Sequence, residues 1–128
     1  MGLDIHLEAD KRMTMAHLAD AVKAVGGRVL EQNKQSMEAG FDSGLSLSGC
    51  DEVEDPQIRA QDPHGLVFTV ATRGYLRIKG PTPDDADPLA DVRAWVEQLA
   101  AKCDACFLMS FQYESLMYLR DEGGLRVL

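Results

Sequence analysis

A chain of 128 residues, 45% hydrophobic and 27% charged, is long enough to bury a core without staples and too apolar for general disorder. Its 21 acids against 13 bases give a net charge of −8, which speaks against nucleic acid or an anionic membrane as partner, since both would repel the average surface. The surplus is concentrated: residues 41–64 hold six acids and one base, residues 81–104 six acids and two bases, and residues 65–80 three bases and no acid.

Leu3, Ile5 and Leu7 alternate with Asp4, His6 and Glu8, the period of a half-buried strand. Thr14 is a good helix N-cap, because its hydroxyl can take an orphan backbone N–H. Met15, Leu18, Val22 and Val25 then form one apolar helical stripe, which Gly26-Gly27 terminates. Val29-Leu30 reads as a short second strand, and residues 31–40 are polar without a clear period. Phe41, Leu45 and Leu47 alternate with Asp42, Ser46 and Ser48, predicting a strand weakened at Gly44. Cys50 to His64, with Pro56 and Pro63, predicts a long acidic loop with no architectural duty of its own.

Leu66 to Lys79 carries the strongest strand pattern, with Leu66, Phe68, Val70, Thr72, Leu76 and Ile78 on one parity. Gly74 there marks either a bulge or, with Thr72 and Arg73, the turn of a hairpin. The second acidic block launches a helix, with Asp87 as N-cap and Pro88 at the first helical position. Leu89, Val92, Val96, Leu99 and Cys103 form its stripe, with Trp95 on the flank. Ala105–Tyr113, Leu116–Leu119 and Leu125–Leu128 read as strands, with Asp121-Glu122-Gly123-Gly124 as the last turn. Strand parity places Phe107, Met109, Phe111 and Tyr113 together, on the core side.

The order β-α-β-β-β-α-β-β-β predicts a single α+β domain over residues 1–128. Its two layers are an antiparallel or mixed sheet and two helices on one face, with the other face open to solvent or a partner. The N-terminus has no basic segment followed by an apolar run and a cleavage site, and no apolar stretch approaches the ~18 residues of a membrane helix. Three cysteines are an odd number, and a chain of this size does not need them as cross-links, so a reducing cytoplasm is the expected compartment.

Motifs for catalysis are weak. Cys103-Asp-Ala-Cys106 has the spacing of a redox dithiol or half a zinc site, but it lies at a helix C-terminus, the wrong pole for lowering a thiol pKa. Only Cys50 and the dispersed His6, His17 and His64 remain as further ligands, so structural cysteines are the better reading, with no metal and no cofactor expected. No histidine neighbours a nucleophile and an orienting third residue, and no Gly-rich phosphate loop precedes a helix. The acidic runs Asp51-Glu52-Glu54-Asp55 and Asp84-Asp85-Asp87 lack a calcium-loop ladder. Helix capping accounts for Asp87, leaving the others as candidates for contact with a basic partner.

In small size, acidity, α+β plan and absence of a catalytic motif, the chain resembles the standalone immunity proteins that bacteria encode beside secreted toxins. That resemblance implies a non-enzymatic protein that neutralises a partner by occluding its site. The contacts would come from Asp51, Glu52, Glu54, Asp55, Asp84 and Asp85, with Tyr113 and Tyr118 as aromatic anchors. Acidic secretion chaperones share the character less well, since this chain begins with a strand. A homodimer through the aromatic C-terminal strands is a further option. The rival expectation is a small ligand-binding or enzymatic domain whose site assembles only in three dimensions, from His6, Glu8, Arg73, Arg77 and Glu114.

Overall fold

The computed structural model describes residues 3–78 and 86–128. Ten elements follow in chain order: β1 (Leu3–Ala9), α1 (Met15–Ala24), β2 (Arg28–Gln32), β3 (Ser36–Gly40), β4 (Leu45–Cys50), β5 (Thr72–Ile78), α2 (Pro88–Lys102), β6 (Phe107–Phe111), β7 (Ser115–Asp121) and β8 (Gly124–Val127). The strands form one sheet in the order β2-β3-β4-β5-β1-β6-β7-β8, with every pairing antiparallel. Both helices pack on one face, as the α+β reading expects, and the sheet is antiparallel where a mixed one was equally open.

β1 lies at the centre because its alternation suits two neighbours and one core. Ile5, Leu7 and Ala9 point to the helices and are fully buried. α1 starts at the expected cap: the Thr14 hydroxyl accepts from the His17 backbone N–H, and the His17 ring accepts from the Thr14 N–H in return. α2 starts at Asp87, whose carboxylate accepts from Ala90 N–H, with Pro88 in the first turn. Its buried stripe is Val92, Trp95, Val96 and Leu99, so it is rotated from the predicted one: Trp95 is 0% exposed and Leu89 is 47% exposed. The Trp95 indole N–H donates to Leu18 O of α1 at 3.2 Å, tying the helices together. α1 can lie close to the sheet because Gly49 faces it: a Cβ there would stand 2.5 Å from Leu18 Cδ1.

Two strand readings are corrected. The predicted Phe41–Ser48 strand is the turn and second arm of a hairpin, β3–β4, with Gly44 at φ +93° in the turn. Of the predicted Leu66–Lys79 strand, Thr72–Ile78 is strand, residues 66–71 are not, and Lys79 lies outside the described residues. Gly74 is neither bulge nor hairpin turn, since the register to β1 and β4 runs through it unbroken. Residues 66–71 continue the preceding loop. Their alternation reflects side-chain burial, and their backbone makes isolated contacts instead of a ladder: Val70 N–H donates to Pro56 O at 2.8 Å and Ala71 N–H to Ala9 O at 2.9 Å.

The long acidic loop also has a duty that its composition hides. Residues 51–71 fold back over the helix-free face and bury Ala60 against Leu108 of β6 and Leu119 of β7, with Ile58, Leu66, Phe68 and Leu116 packed around them. The sheet thus carries a second, smaller core under the loop. Among the described residues, the part of this face built from β2 to β5 and β1 keeps accessible cavities beside the loop.

Candidate functional site

The helix-free face is organised in rows that run across the strands. Residues directly opposite in neighbouring strands share a face. One row therefore reads Cys50, Arg73, Glu8, Leu108, Leu119, and the next reads Glu31, Glu38, Ser48, Tyr75, His6, Ser110. The first row is a clamp. Glu8 is fully buried, and it accepts from Arg73 at 2.8 Å, from Arg59 N–H at 2.7 Å and from Ala60 N–H at 3.1 Å. Arg73 turns its other guanidinium nitrogen to the carbonyls of Asp55 and Gln57, each at 2.9 Å. A strand carboxylate and a strand guanidinium thereby hold the base of the loop, each through three hydrogen bonds.

The second row floors a cavity of about 490 Å³, lined by His6, Glu31, Glu38, Ser48, Tyr75 and Tyr113 among others. Small Ser48 lies between large Glu38 and Tyr75, which makes the trough. A β-bulge at Val29/Glu31 turns both Leu30 and Glu31 toward this face, so Glu31 stands directly opposite Glu38. At the other end His6 is enclosed by aromatics: Tyr113 stacks on it at 4.0 Å and 13°, and Tyr75 meets it edge-on at 5.1 Å. The Tyr75 hydroxyl donates to Asp4 at 2.5 Å, and that carboxylate raises the Tyr75 pKa, with desolvation adding to it. Ser110, in register with His6, is fully buried, and its Oγ makes no hydrogen bond among the described residues.

Tyr113 reaches this face by an unusual route. Parity along β6 places it with Phe107 and Met109, toward the helices. Instead Gln112 and Tyr113 both take positive φ, 53° and 63°, in a tight turn closed by Glu114 N–H to Phe111 O at 2.9 Å. This is the pattern of a type I′ turn, which favours Asn-Gly. The turn swings the tyrosine ring onto His6, and its carbonyl accepts from Gln61 N–H of the loop at 2.8 Å.

Burial pushes the His6 pKa below 6.5; Asp4 and Glu8 act against this, while Arg73 and Arg59 reinforce it. His6 is therefore a neutral aromatic wall at pH 7. A pKa lower in the folded than in the unfolded state contributes stability that is present above about pH 6.5 and lost as the pH falls through the folded value. Imidazole NMR is expected to give a His6 midpoint below 6.5, and Tyr113→Ala, by baring the ring, should return it toward 6.5. A wild-type midpoint above 6.5 contradicts the enclosure.

The other predicted contact residues are dispersed. Asp51, Glu52 and Glu54 are exposed at the start of the loop. Asp55 is half-buried and committed: Gln57 N–H lowers its pKa first, and Arg59 adds to this against desolvation. Asp84 and Asp85 lie outside the described residues. Tyr118 is buried beneath α2 and keeps only 7% of its surface, which leaves it no ring face to offer a partner. Of the rival set, His6, Glu8 and Arg73 do come together, Arg77 stands by Asp4 at 3.8 Å, and Glu114 is exposed in the β6–β7 turn.

Comparison with known proteins extends to family models, curated proteins and solved structures. None matches. The site must therefore be read from its own chemistry. Among the described residues no three or more His, Cys, Asp or Glu side chains group as a metal would need, and no helix is long and apolar enough to cross a membrane. Cys103 caps the C-terminus of α2, and burial pushes its thiol pKa up, the opposite of redox activation. Cys106 accepts from Arg12 at 3.3 Å on the outside of the β1–α1 corner.

Proposed function

We propose that this chain is a non-enzymatic protein-binding domain that docks on a basic surface of another protein, as a bacterial immunity protein does when it occludes the site of a toxin. One observation carries the reading. Two polar groups of the helix-free face, Glu8 and Arg73, are engaged in holding the loop, whereas Glu31, Glu38, Asp51, Glu52 and Glu54 are exposed and form no ion pair among the described residues. Unpaired carboxylates around a concave face attract a basic partner at long range and discriminate against acidic ones. A rim of this kind governs association rate and salt dependence, while the aromatic wall behind it supplies desolvated contact area.

A second reading, a domain that binds a small ligand, draws support from the convergence of His6, Tyr75 and Tyr113 on one cavity. The two separate cleanly. A tagged chain recovered from its native cells is expected to bring down a basic protein in a complex that weakens as salt rises. Asp51→Lys, Glu52→Lys and Glu54→Lys together should weaken it by roughly tenfold or more, and Asp84→Lys with Asp85→Lys should add to the loss. A partner whose affinity is indifferent to both salt and charge reversal defeats the docking reading.

A further inference from the structure

The second row of the helix-free face has a feature that general acidity does not explain. Glu31 and Glu38 stand directly opposite each other in β2 and β3. Like charges directly opposite are destabilising in a sheet, and the bulge in β2 is what turns Glu31 onto this face beside Leu30. Among the described residues neither carboxylate has a cationic partner. Arg73, which also lines the cavity, donates instead to Glu8 and to the carbonyls of Asp55 and Gln57. Across the trough floored by Ser48 stand Tyr75, His6 and Tyr113, three half-buried rings. Beside His6, Ser110 of β6 keeps a buried hydroxyl with no partner among the described residues. The trough thus has unpaired negative charge on one side and π faces on the other.

From this geometry we infer that the trough between Glu31/Glu38 and Tyr75/Tyr113 is a socket for a cationic side chain of the partner, an arginine in preference to a lysine. The inference rests on the docking reading above and gives it an anchor point. A guanidinium is planar, donates in a fork to carboxylates and stacks on aromatic faces, so one group lying over Ser48 can meet Glu38 on one side and the Tyr75 ring on the other. An ammonium is a compact, strongly hydrated point charge that would satisfy the carboxylates and use the rings less well. The proposed occupant also relieves the Glu31–Glu38 repulsion that the free protein carries.

The probe is a hexa-arginine peptide titrated into the 15N-labelled chain at roughly physiological salt, where long-range attraction between exposed charges is largely screened. Shifts are expected to centre on Glu31, Glu38, Ser48, Tyr75 and Tyr113. Glu31→Gln with Glu38→Gln should weaken binding about tenfold, the effect of removing two charge-assisted contacts. Asp20→Asn with Glu122→Gln, which changes the net charge equally at two exposed sites elsewhere, should alter it less than about twofold. Hexa-lysine should bind several-fold more weakly than hexa-arginine. Equal losses in the two double variants, or equal affinity for the two peptides, overturn the socket. Shifts confined to residues 51–54 overturn it too, but leave docking through the acidic loop intact. Complete absence of binding even at low salt counts against both.

Discussion

Glu8→Ala is expected to be the most damaging single substitution on the helix-free face, costing about 3–5 kcal/mol. The residue is fully buried, so the change strands three donors at once: the Arg73 guanidinium and the backbone N–H groups of Arg59 and Ala60. Removing one member of a buried ion pair costs far more than the pair contributes net, because the survivor keeps its charge and loses its compensation. With slopes of ~1–3 kcal/mol per molar urea, the unfolding midpoint should fall by on the order of 2 M. Amide exchange at Arg59 and Ala60 should accelerate even in conditions where β1 stays protected. The double variant Glu8→Leu with Arg73→Met should recover much of the loss, since a buried pair replaced by apolar groups of similar volume is often neutral. Unchanged exchange at Arg59 and Ala60 in Glu8→Ala would show that the clamp does not hold the loop.

The clamp bears on function through the wall it supports. The loop start carries Asp51, Glu52 and Glu54, and its middle is stitched to the β6–β7 turn through Gln61 N–H and the Tyr113 carbonyl. Arg59 lies by the Tyr113 hydroxyl, which with Asp55 raises the Arg59 pKa. Loosening Glu8 therefore loosens the acidic rim and the aromatic wall together. Burying a carboxylate for this purpose is costly, and an apolar pair would close the loop more cheaply. The ion pair instead fixes one register of loop on sheet, because only one alignment brings two N–H groups and a guanidinium to the same carboxylate.

Much of the frame could be read from local pattern. Thr14 and Asp87-Pro88 are caps whose chemistry lies within three residues of the helix they start, and β1 alternates without exception. The failures share one cause, dependence on partners distant in the chain. Leu66, Phe68 and Val70 alternate like a strand because one side of the segment is buried, yet what buries Leu66 and Phe68 is the face of β6 and β7, not a ladder. Alternation reports burial and is silent about pairing. β3 escaped notice because its inward residues are only Met37 and Ala39, too weak a period beside Phe41. Glu8 was legible as an outward strand residue and not as a buried clamp, since its donors lie more than fifty residues away. Glu31 and Glu38 became neighbours through a bulge, which breaks the parity that pattern reading relies on.

Tyr113 is the residue where stability and binding are expected to part. A bulky side chain in the left-handed region costs about 1–2 kcal/mol, and Gln112 carries the same burden beside it. Tyr113→Gly relieves the strain but loses the stack on His6, worth about 0.5–1.5 kcal/mol beyond its buried area. With the ring's half-buried area adding about 1 kcal/mol to the loss, strain relief offsets most of it, so stability should fall by no more than about 1 kcal/mol, little for the loss of a half-buried aromatic. Gln112→Gly removes strain at an exposed position with no stack to lose, and should stabilise by about 1 kcal/mol while leaving binding intact. Affinity for hexa-arginine should respond in the opposite order, falling roughly thirtyfold in Tyr113→Gly, as expected when an aromatic anchor worth ~2 kcal/mol is removed. Denaturant midpoints and peptide titrations on the two variants give both quantities. If Tyr113→Gly binds the peptide as wild type does, the strained turn serves the loop contact to Gln61 alone. A turn of Gln-Tyr where Asn-Gly would relax the backbone makes sense only if the ring is needed where the turn puts it.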